Sequence, residues 1–434
     1  MTSIDHPSSS HRWKVLAAGV VANAAFSTAF SGIPMTAVLM RSGYRLDDVT
    51  LGLVLGLMGL GIAVSELPWG LLTDRWGDRP VLLFGLVATS MALFAMALLA
   101  APASGHVPGV AILGAGLLLV GLFGGSVNGA SGRAVMSWFA EGERGLAMSI
   151  RQTAVPLGGG VGALLLPFVA LRFGFGVMYG LLAALCLLGA VLAAAWVREA
   201  RPADSSRVVV KAQQVEQGEP LRDARVWRIV TGIGILCAPQ FAVLSFGTVF
   251  LHDFGHVGLA TISATMTVVQ VGAMGMRVWS GRWTDRRRNR PAYLRACSTA
   301  TVLLFLALGV AAMAPQDALA VSPIARTALV CLLMLCGVCV SAWHGVAYTE
   351  LATLSGARRA GTALGMANTA VFLICFLTPL SIPHLRALLG WPLVWFAASG
   401  CALIALPLLT SAPHRHAFLR WSPQRRSAHP AQSR

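Results

Sequence analysis

Gly70-Leu-Leu-Thr-Asp74-Arg75-Trp-Gly77-Asp78-Arg79-Pro80 is a short charged run set between long apolar ones. It returns 211 residues later as Gly281-Arg-Trp-Thr-Asp285-Arg286-Arg-Arg-Asn-Arg290-Pro291, with six of the eleven positions identical. A second offset, 216 residues, aligns Gly145, Ala147, Thr153, Ala154 and Val155 with Gly361, Ala363, Thr369, Ala370 and Val371, and Gly129 with Gly345. Chance similarity between apolar helices does not align their loops as well, so the chain reads as a duplicated unit.

The flanking composition says where such a unit lives. Of 434 residues, 56% are hydrophobic and only 12% charged, and the mean hydropathy is +0.71. A soluble enzyme cannot carry so little charge. Apolar windows long enough to cross a bilayer, about 20 residues each, fall near 15–40, 48–72, 80–101, 109–139, 145–171, 173–198, 226–254, 257–284, 291–314, 325–354, 360–386 and 390–411. The expected fold class is therefore an all-α membrane protein of twelve transmembrane helices in two pseudo-symmetric six-helix bundles, 15–198 and 226–411. A cytoplasmic N-terminal tail (1–14), a cytoplasmic central loop (199–225) and a basic cytoplasmic tail (412–434) complete it.

The net charge of +16 resembles a nucleic-acid footprint until its placement is read. With the N-terminus inside, 28 of the 33 Lys and Arg residues fall at or near the cytoplasmic side, leaving Arg41, Arg45, Arg172, Arg326 and Arg386 outside. The excess sets topology and favours anionic lipid at the inner leaflet. No nucleic acid is expected as a partner. All eight cysteines lie in apolar runs. Cys331, Cys336 and Cys339 share one span without a fourth ligand, so neither metal nor cofactor is expected. No cleaved signal peptide is read at the N-terminus.

The run Gly70, Asp74, Arg75, Gly77, Arg79 resembles the loop signature of the major facilitator superfamily, with a second copy at Gly281, Asp285, Arg286 and Arg290. The resemblance covers the whole chain and implies alternating access, in which these charges latch one state. Asp78 stands where the family usually has a basic residue, and Arg288 replaces the second glycine of the copy. Asn128-Gly-Ala-Ser-Gly-Arg133, with Ser137-Trp138-Phe139 and Glu143-Arg144-Gly145, is similar to the fourth-to-fifth span connection of the superfamily's organic-anion permeases. Ala154-Val-Pro156-Leu-Gly158-Gly159-Gly160-Val-Gly162 partly resembles an antiporter motif, and reads more readily as small residues permitting close helix packing.

Ionisable residues inside spans are costly and so mark function. Glu66 and Arg277 occupy equivalent positions of opposite charge, one turn inside the two loop signatures. Glu66 is the candidate proton-coupling carboxylate or a gate partner, and Arg277 either pairs with it or attracts an anionic substrate. Snorkelling inner-end charges are the alternative. Asn128 and His344 match across the halves, as do Gln152 and Asn368. The candidate substrate cavity takes Asn23, Phe26, Ser27, Asn128, Gln240, Gln270, Trp343 and His344. Phe26 reads more readily as a packing or lipid-facing aromatic, and His344 as a satisfied core histidine. Arg133, Arg151 and Glu350 form a candidate inner gate, with Arg358 as a further partner for Glu350.

The expected function is secondary active transport in the bacterial inner membrane by a monomer, not an enzyme. Proton-coupled uptake (symport) of a small organic anion such as a carboxylate leads, with proton-driven efflux of a metabolite, siderophore or drug as the alternative. A non-transporting sensor is a remote third. No phosphate-cradling G-x-x-x-x-G-K-[ST] run points to ATP, and the partners expected are a small-molecule substrate, H+ and membrane lipid.

Overall fold

The computed structural model of the chain describes residues 11–103, 105–139, 144–198, 220–315, 321–355 and 360–410. The regular elements among them are helical, apart from one isolated bridge between Ala103 and His106. Of the tails and central loop expected from the sequence, residues 1–10, 199–219 and 411–434 lie outside the described residues.

Before residue 199 the chain forms α1 (His11–Gly32), α2 (Ala37–Gly43), α3 (Asp48–Trp76), α4 (Asp78–Leu99), α5 (Val110–Trp138), α6 (Arg144–Gln152) and α7 (Ala154–Trp196). A 3-10 turn at Ile33–Thr36 joins α1 to α2, where Pro34 removes a backbone donor. After residue 219 come α8 (Ala224–Val249), α9 (Leu259–Arg287), α10 (Arg290–Ala311), α11 (Pro323–Ser341), α12 (His344–Ser355) and α13 (Ala360–Thr410). Local chemistry sets several of these starts. The Asp47 carboxylate accepts from Thr50 N at 2.8 Å, Asp223 accepts from Arg225 N and Ser322 accepts from Ala325 N, each satisfying a donor that a helix start leaves free.

Ten continuous helical runs among the described residues are long and apolar enough to cross a membrane. Two of them are double. In α7 the run breaks at Gly174 (φ 82°, ψ 171°). Its first limb meets α1 at Ala24 with Gly158 and at Gly32 with Gly162; beyond the break Phe175 meets Gly43, and Gly189 is back beside Ala22. The helix therefore folds back on itself. In α13 the break is at Gly390 (φ 71°, ψ −163°). There Ala370 lies against Gly234, Trp391 against Phe250, and Leu409 against Gly232. Among the described residues the ten runs, two of them doubled, make twelve long apolar limbs that match the expected windows to within a few residues. Gly174 and Gly390 are themselves 216 residues apart, the offset of the internal repeat.

Glycine is required at these turns because an L side chain is excluded from φ near +80° with extended ψ. Gly77, which joins α3 directly to α4, has the same conformation (φ 89°, ψ 171°). At the equivalent place between α9 and α10, Arg288 takes the left-handed conformation (φ 50°, ψ 37°). The repeated loop thus turns in two different ways, and the second costs about 1–2 kcal/mol that a glycine avoids.

Candidate functional site

The two parts of the chain meet along α3 with the first limb of α13, and along the first limb of α7 with α9. Glycines bring the first pair close: Gly52, Gly56 and Gly59 of α3 lie against Pro379, Phe376 and Cys375. The second pair is brought together by Gly159 and Gly160, which hold the side chain of Gln270. Gly158 and Gly162 face the other way, onto α1. The glycine run after Pro156 thus thins α7 on two faces.

A belt of polar side chains crosses both seams. Glu66 is buried and lies 18 residues into α3 from Asp48, about 27 Å along it. Its Oε1 accepts from Asn368 Nδ2 at 2.9 Å, and Asn368 Oδ1 in turn accepts from Tyr348 OH at 2.9 Å. Arg277 donates to the carbonyl oxygen of Gln152 at 3.5 Å. These two contacts are counterparts, because Glu66 pairs with Arg277 and Gln152 with Asn368 under the internal repeat. Arg151, also buried, donates to Ser131 Oγ at 3.0 Å and to the Asn128 carbonyl at 3.5 Å. It lies within electrostatic range of Glu66. His344 is half-buried, stacks on Trp343 at 3.8 Å, and lies within electrostatic range of Arg277. Several atoms of the expected site make no hydrogen bond among the described residues: Glu66 Oε2, Arg151 Nε, Arg277 Nε, Asn23 Nδ2 and Gln240 Oε1.

Four expectations need correction. No ion pair joins Glu66 to Arg277 among the described residues; each instead reaches a neutral group across the seam, because the two charges lie on different seams. Phe26 is buried with its ring in the notch left by Gly124, so it is core. The aromatic bridge between the halves is Phe30, one turn on, with ring centroids 5.7 Å from Phe241 and 5.5 Å from Phe372. Trp343 is wholly buried and backs the His344 ring rather than lining an open cavity. Glu350 does not meet Arg133 or Arg151: it lies 3.9 Å from Arg290, while Arg133 pairs with Asp78 at 3.0 Å. Arg358 lies outside the described residues.

Those last pairs belong to the loop signatures. Arg290 also bonds Asp285 and Thr353, each at 3.2 Å, and Arg79 donates to the Ala194 carbonyl at 2.9 Å. Gly70 and Gly281 have open space where a side chain would stand, and Arg75 and Arg286 are exposed. Asp74 is placed on α3 but its side chain lies outside the described residues. At this end the described ion pairs stay within one half of the chain.

The opposite end differs. Arg41, at the end of α2, holds Asp253 with two hydrogen bonds of 2.5 and 2.6 Å. Asp48, at the start of α3, pairs with Arg386. Both pairs join the two halves and close that end. Sequence reasoning placed Arg41 and Arg386 outside without pairing them. The available signal was that Arg41 and Asp253 stand 212 residues apart with opposite charge.

Comparison with known proteins agrees with this architecture. The family model described as Major Facilitator Superfamily matches residues 17–379. An uncharacterized MFS-type transporter of Mycobacterium tuberculosis (strain H37Rv) is 30% identical over 404 residues, covering 92% of this chain and 84% of the relative. The hexuronate transporter of Bacillus subtilis (strain 168) is 25% identical over 169 residues, 39% of this chain and 38% of that protein. Among solved structures, a D-xylose–proton symporter matches with a TM-score of 0.72 at 16% identity, covering 92% of this chain and 98% of its own. A bacterial homologue of the human lysosomal transporter Spinster, in an inward-facing, unoccupied conformation, matches with a TM-score of 0.69 at 14% identity, covering 93% and 97%. The chain belongs to the major facilitator superfamily and is a multi-pass membrane transporter with that fold.

Proposed function

We propose that this transporter takes up a small organic anion together with protons, across the bacterial inner membrane. In this reading it works as a monomer of two six-helix bundles, 15–198 and 226–411, with both termini and the duplicated loops in the cytoplasm. The observation that carries the reading is the charge balance of the belt. Arg151 from one half and Arg277 from the other both reach this belt, Arg277 through its bond to the carbonyl of Gln152, the residue that follows Arg151. Against these two guanidiniums stands one carboxylate, Glu66. Holding an ion away from water costs several kcal/mol unless it is paired and hydrogen-bonded, and each arginine keeps an Nε without a partner. A carboxylate seated between them supplies the missing charge and bonds both halves, and the planar guanidinium suits that group.

Glu66 is the coupling group in this scheme. A substrate carboxylate competes with it for Arg151, so the anion favours a protonated Glu66 and, by reciprocity, the proton favours the anion. The closed end at Arg41, Asp48, Asp253 and Arg386, with the described ion pairs of the loop signatures lying within halves, fits an inward-facing state. The hexuronate transporter among the relatives supports the substrate class, hexuronates being sugar carboxylates. The glycine run on α7 keeps efflux as the second reading, because its likeness to an antiporter motif coincides with a seam between the halves.

The test is proton movement in proteoliposomes of purified protein on addition of lactate, succinate, glucuronate, xylose or a cationic dye, with Glu66→Gln and Arg277→Ala alongside. Alkalinisation of the medium on adding one of the carboxylates, lost in both variants, is the expected result. Proton counterflow with the dye alone turns the reading to efflux, and xylose-driven proton uptake sinks the anion assignment.

A further inference from the structure

The belt contains one hydrogen-bonded chain with a fixed direction. Tyr348 OH donates to Asn368 Oδ1 and Asn368 Nδ2 donates to Glu66 Oε1, each at 2.9 Å. Tyr348 has only one proton to give, and using it on Asn368 fixes which end of the amide faces Glu66. Asn368 therefore meets Glu66 as a donor. Glu66 belongs to α3 and the other two to α12 and α13, so this is a bond between the halves. A donor bonds an ionised carboxylate about twice as strongly as a neutral one.

We infer that Tyr348 and Asn368 form a strut that reads the charge on Glu66, holding the two halves together at this depth while the carboxylate is ionised and slackening when it takes a proton. Tyr348 is a positioning residue: it acts by orienting Asn368. The inference rests on the proposed coupling role of Glu66. The groups that act on Glu66 here are Arg151 of α6, Asn368 of α13 and Tyr348 of α12. From α5, Gly125 packs on Ser65 beside it, and Arg133 is turned away to Asp78. Also on α13, Cys375 is engaged with Cys237 of α8 at 3.9 Å. Arg277 of α9 lies within electrostatic range of Tyr348.

The experiment uses the full chain in lipid nanodiscs without substrate, with probes carried by non-natural residues at the exposed positions Trp76 and Arg287. The distance between them is followed from pH 5 to 9. In the wild type the distribution broadens and lengthens as the pH falls. Glu66→Gln gives the slackened distribution at every pH. Asn368→Ala does the same, and Tyr348→Phe, which leaves the amide free to turn, moves the midpoint by about one pH unit, roughly tenfold in proton affinity. Equal elution volume and melting temperature across the variants separate these effects from misfolding, with Tyr348→Phe the mildest change. A wild-type pH response in both Asn368→Ala and Tyr348→Phe overturns the strut. A pH-dependent distance that disappears in Asn368→Ala, in a protein that moves none of the carboxylates tested, keeps the strut and removes the anion reading.

Discussion

Replacing Arg41 by alanine removes one of the two ion pairs that close the end away from the duplicated loops. Its guanidinium grips Asp253 through both nitrogens, with side chains 24% and 19% exposed. Opposite charges about 4 Å apart attract by about 4 kcal/mol at an effective dielectric of about 20. Desolvation and the ordering of two side chains take back much of that, leaving about 1–2 kcal/mol for a pair this well aligned and this far from water. Asp253 retains His252 at 2.8 Å and Arg386 at 3.9 Å, and Asp48 retains Arg386, so the latch is halved rather than abolished. A bias of that size changes the ratio of closed to open by about 5- to 30-fold. The assay is the distance between probes at Val49 and Leu388, both exposed at this end. Arg41→Ala populates a longer distance, and Arg41→Asp, which sets a third carboxylate beside Asp48 and Asp253, more so. Salt at about 1 M, where screening acts over about 3 Å, mimics part of the alanine effect. If Arg41→Asp leaves the distance where the wild type has it, the pair is not a latch and the reasoning fails.

Other outcomes follow from the same geometry. Gly52→Ala drives its methyl into the Pro379 carbonyl across the seam, whereas Gly121→Ala drives one into the Met58 carbonyl inside one half. The first should slow transport and lengthen the Val49–Leu388 distance with little change in melting, and the second should lower the melting temperature, since overpacking costs about 1–3 kcal/mol. Arg277→Ala should weaken anion binding by about 10- to 100-fold, and Arg277→Lys should recover only part of it; equilibrium binding of radiolabelled substrate reads both. At Asp47 the hydrogen bonds from the Thr50 side chain and from its backbone N hold the carboxyl below its ordinary range. Its contribution is therefore full above the unfolded value, about 3.9, and is lost as pH falls through the folded one. The melting difference between wild type and Asp47→Ala should be present at pH 7 and close in acid.

Much of the fold was legible because a bilayer simplifies the code: apolar length sets each crossing, and glycine, proline and charge set its ends. The windows at 48–72 and 109–139 correspond closely to α3 and α5. The breaks inside spans were harder to see. Nothing local announces that α11 stops at Ser341 and α12 starts at His344, because no proline or charge lies there. Within the site, Glu66, Arg151, Arg277 and His344 were visible through the cost of placing ionisable groups among apolar ones. Tyr348 and Phe30 were not, because an aromatic in a membrane helix has no such cost and its role depends on which helix it faces. Arg41 and Asp253 escaped notice because each stands at a span end, where a solvated charge is the ordinary case.

The repeat also carries information that neither half holds alone. Equivalent positions in a duplicated bundle tend to face each other across the pseudo-twofold axis, so an exact duplicate would set like charges against like. At the closed end Arg41 and Asp253, one residue off the 211-residue offset, meet with opposite sign. Glu66 and Arg277, equivalents at that offset, carry the same inversion. In the belt it places one acid and one base at matching depths, each bonded to the neutral counterpart from the other half, Asn368 or Gln152. An opposite-signed pair therefore bonds where its members touch and takes neutral partners where they lie on separate seams. Making position 253 basic again restores the like-charged arrangement: Asp253→Arg alone should part the closed end further than Arg41→Ala does, because it adds repulsion where the alanine only removes attraction.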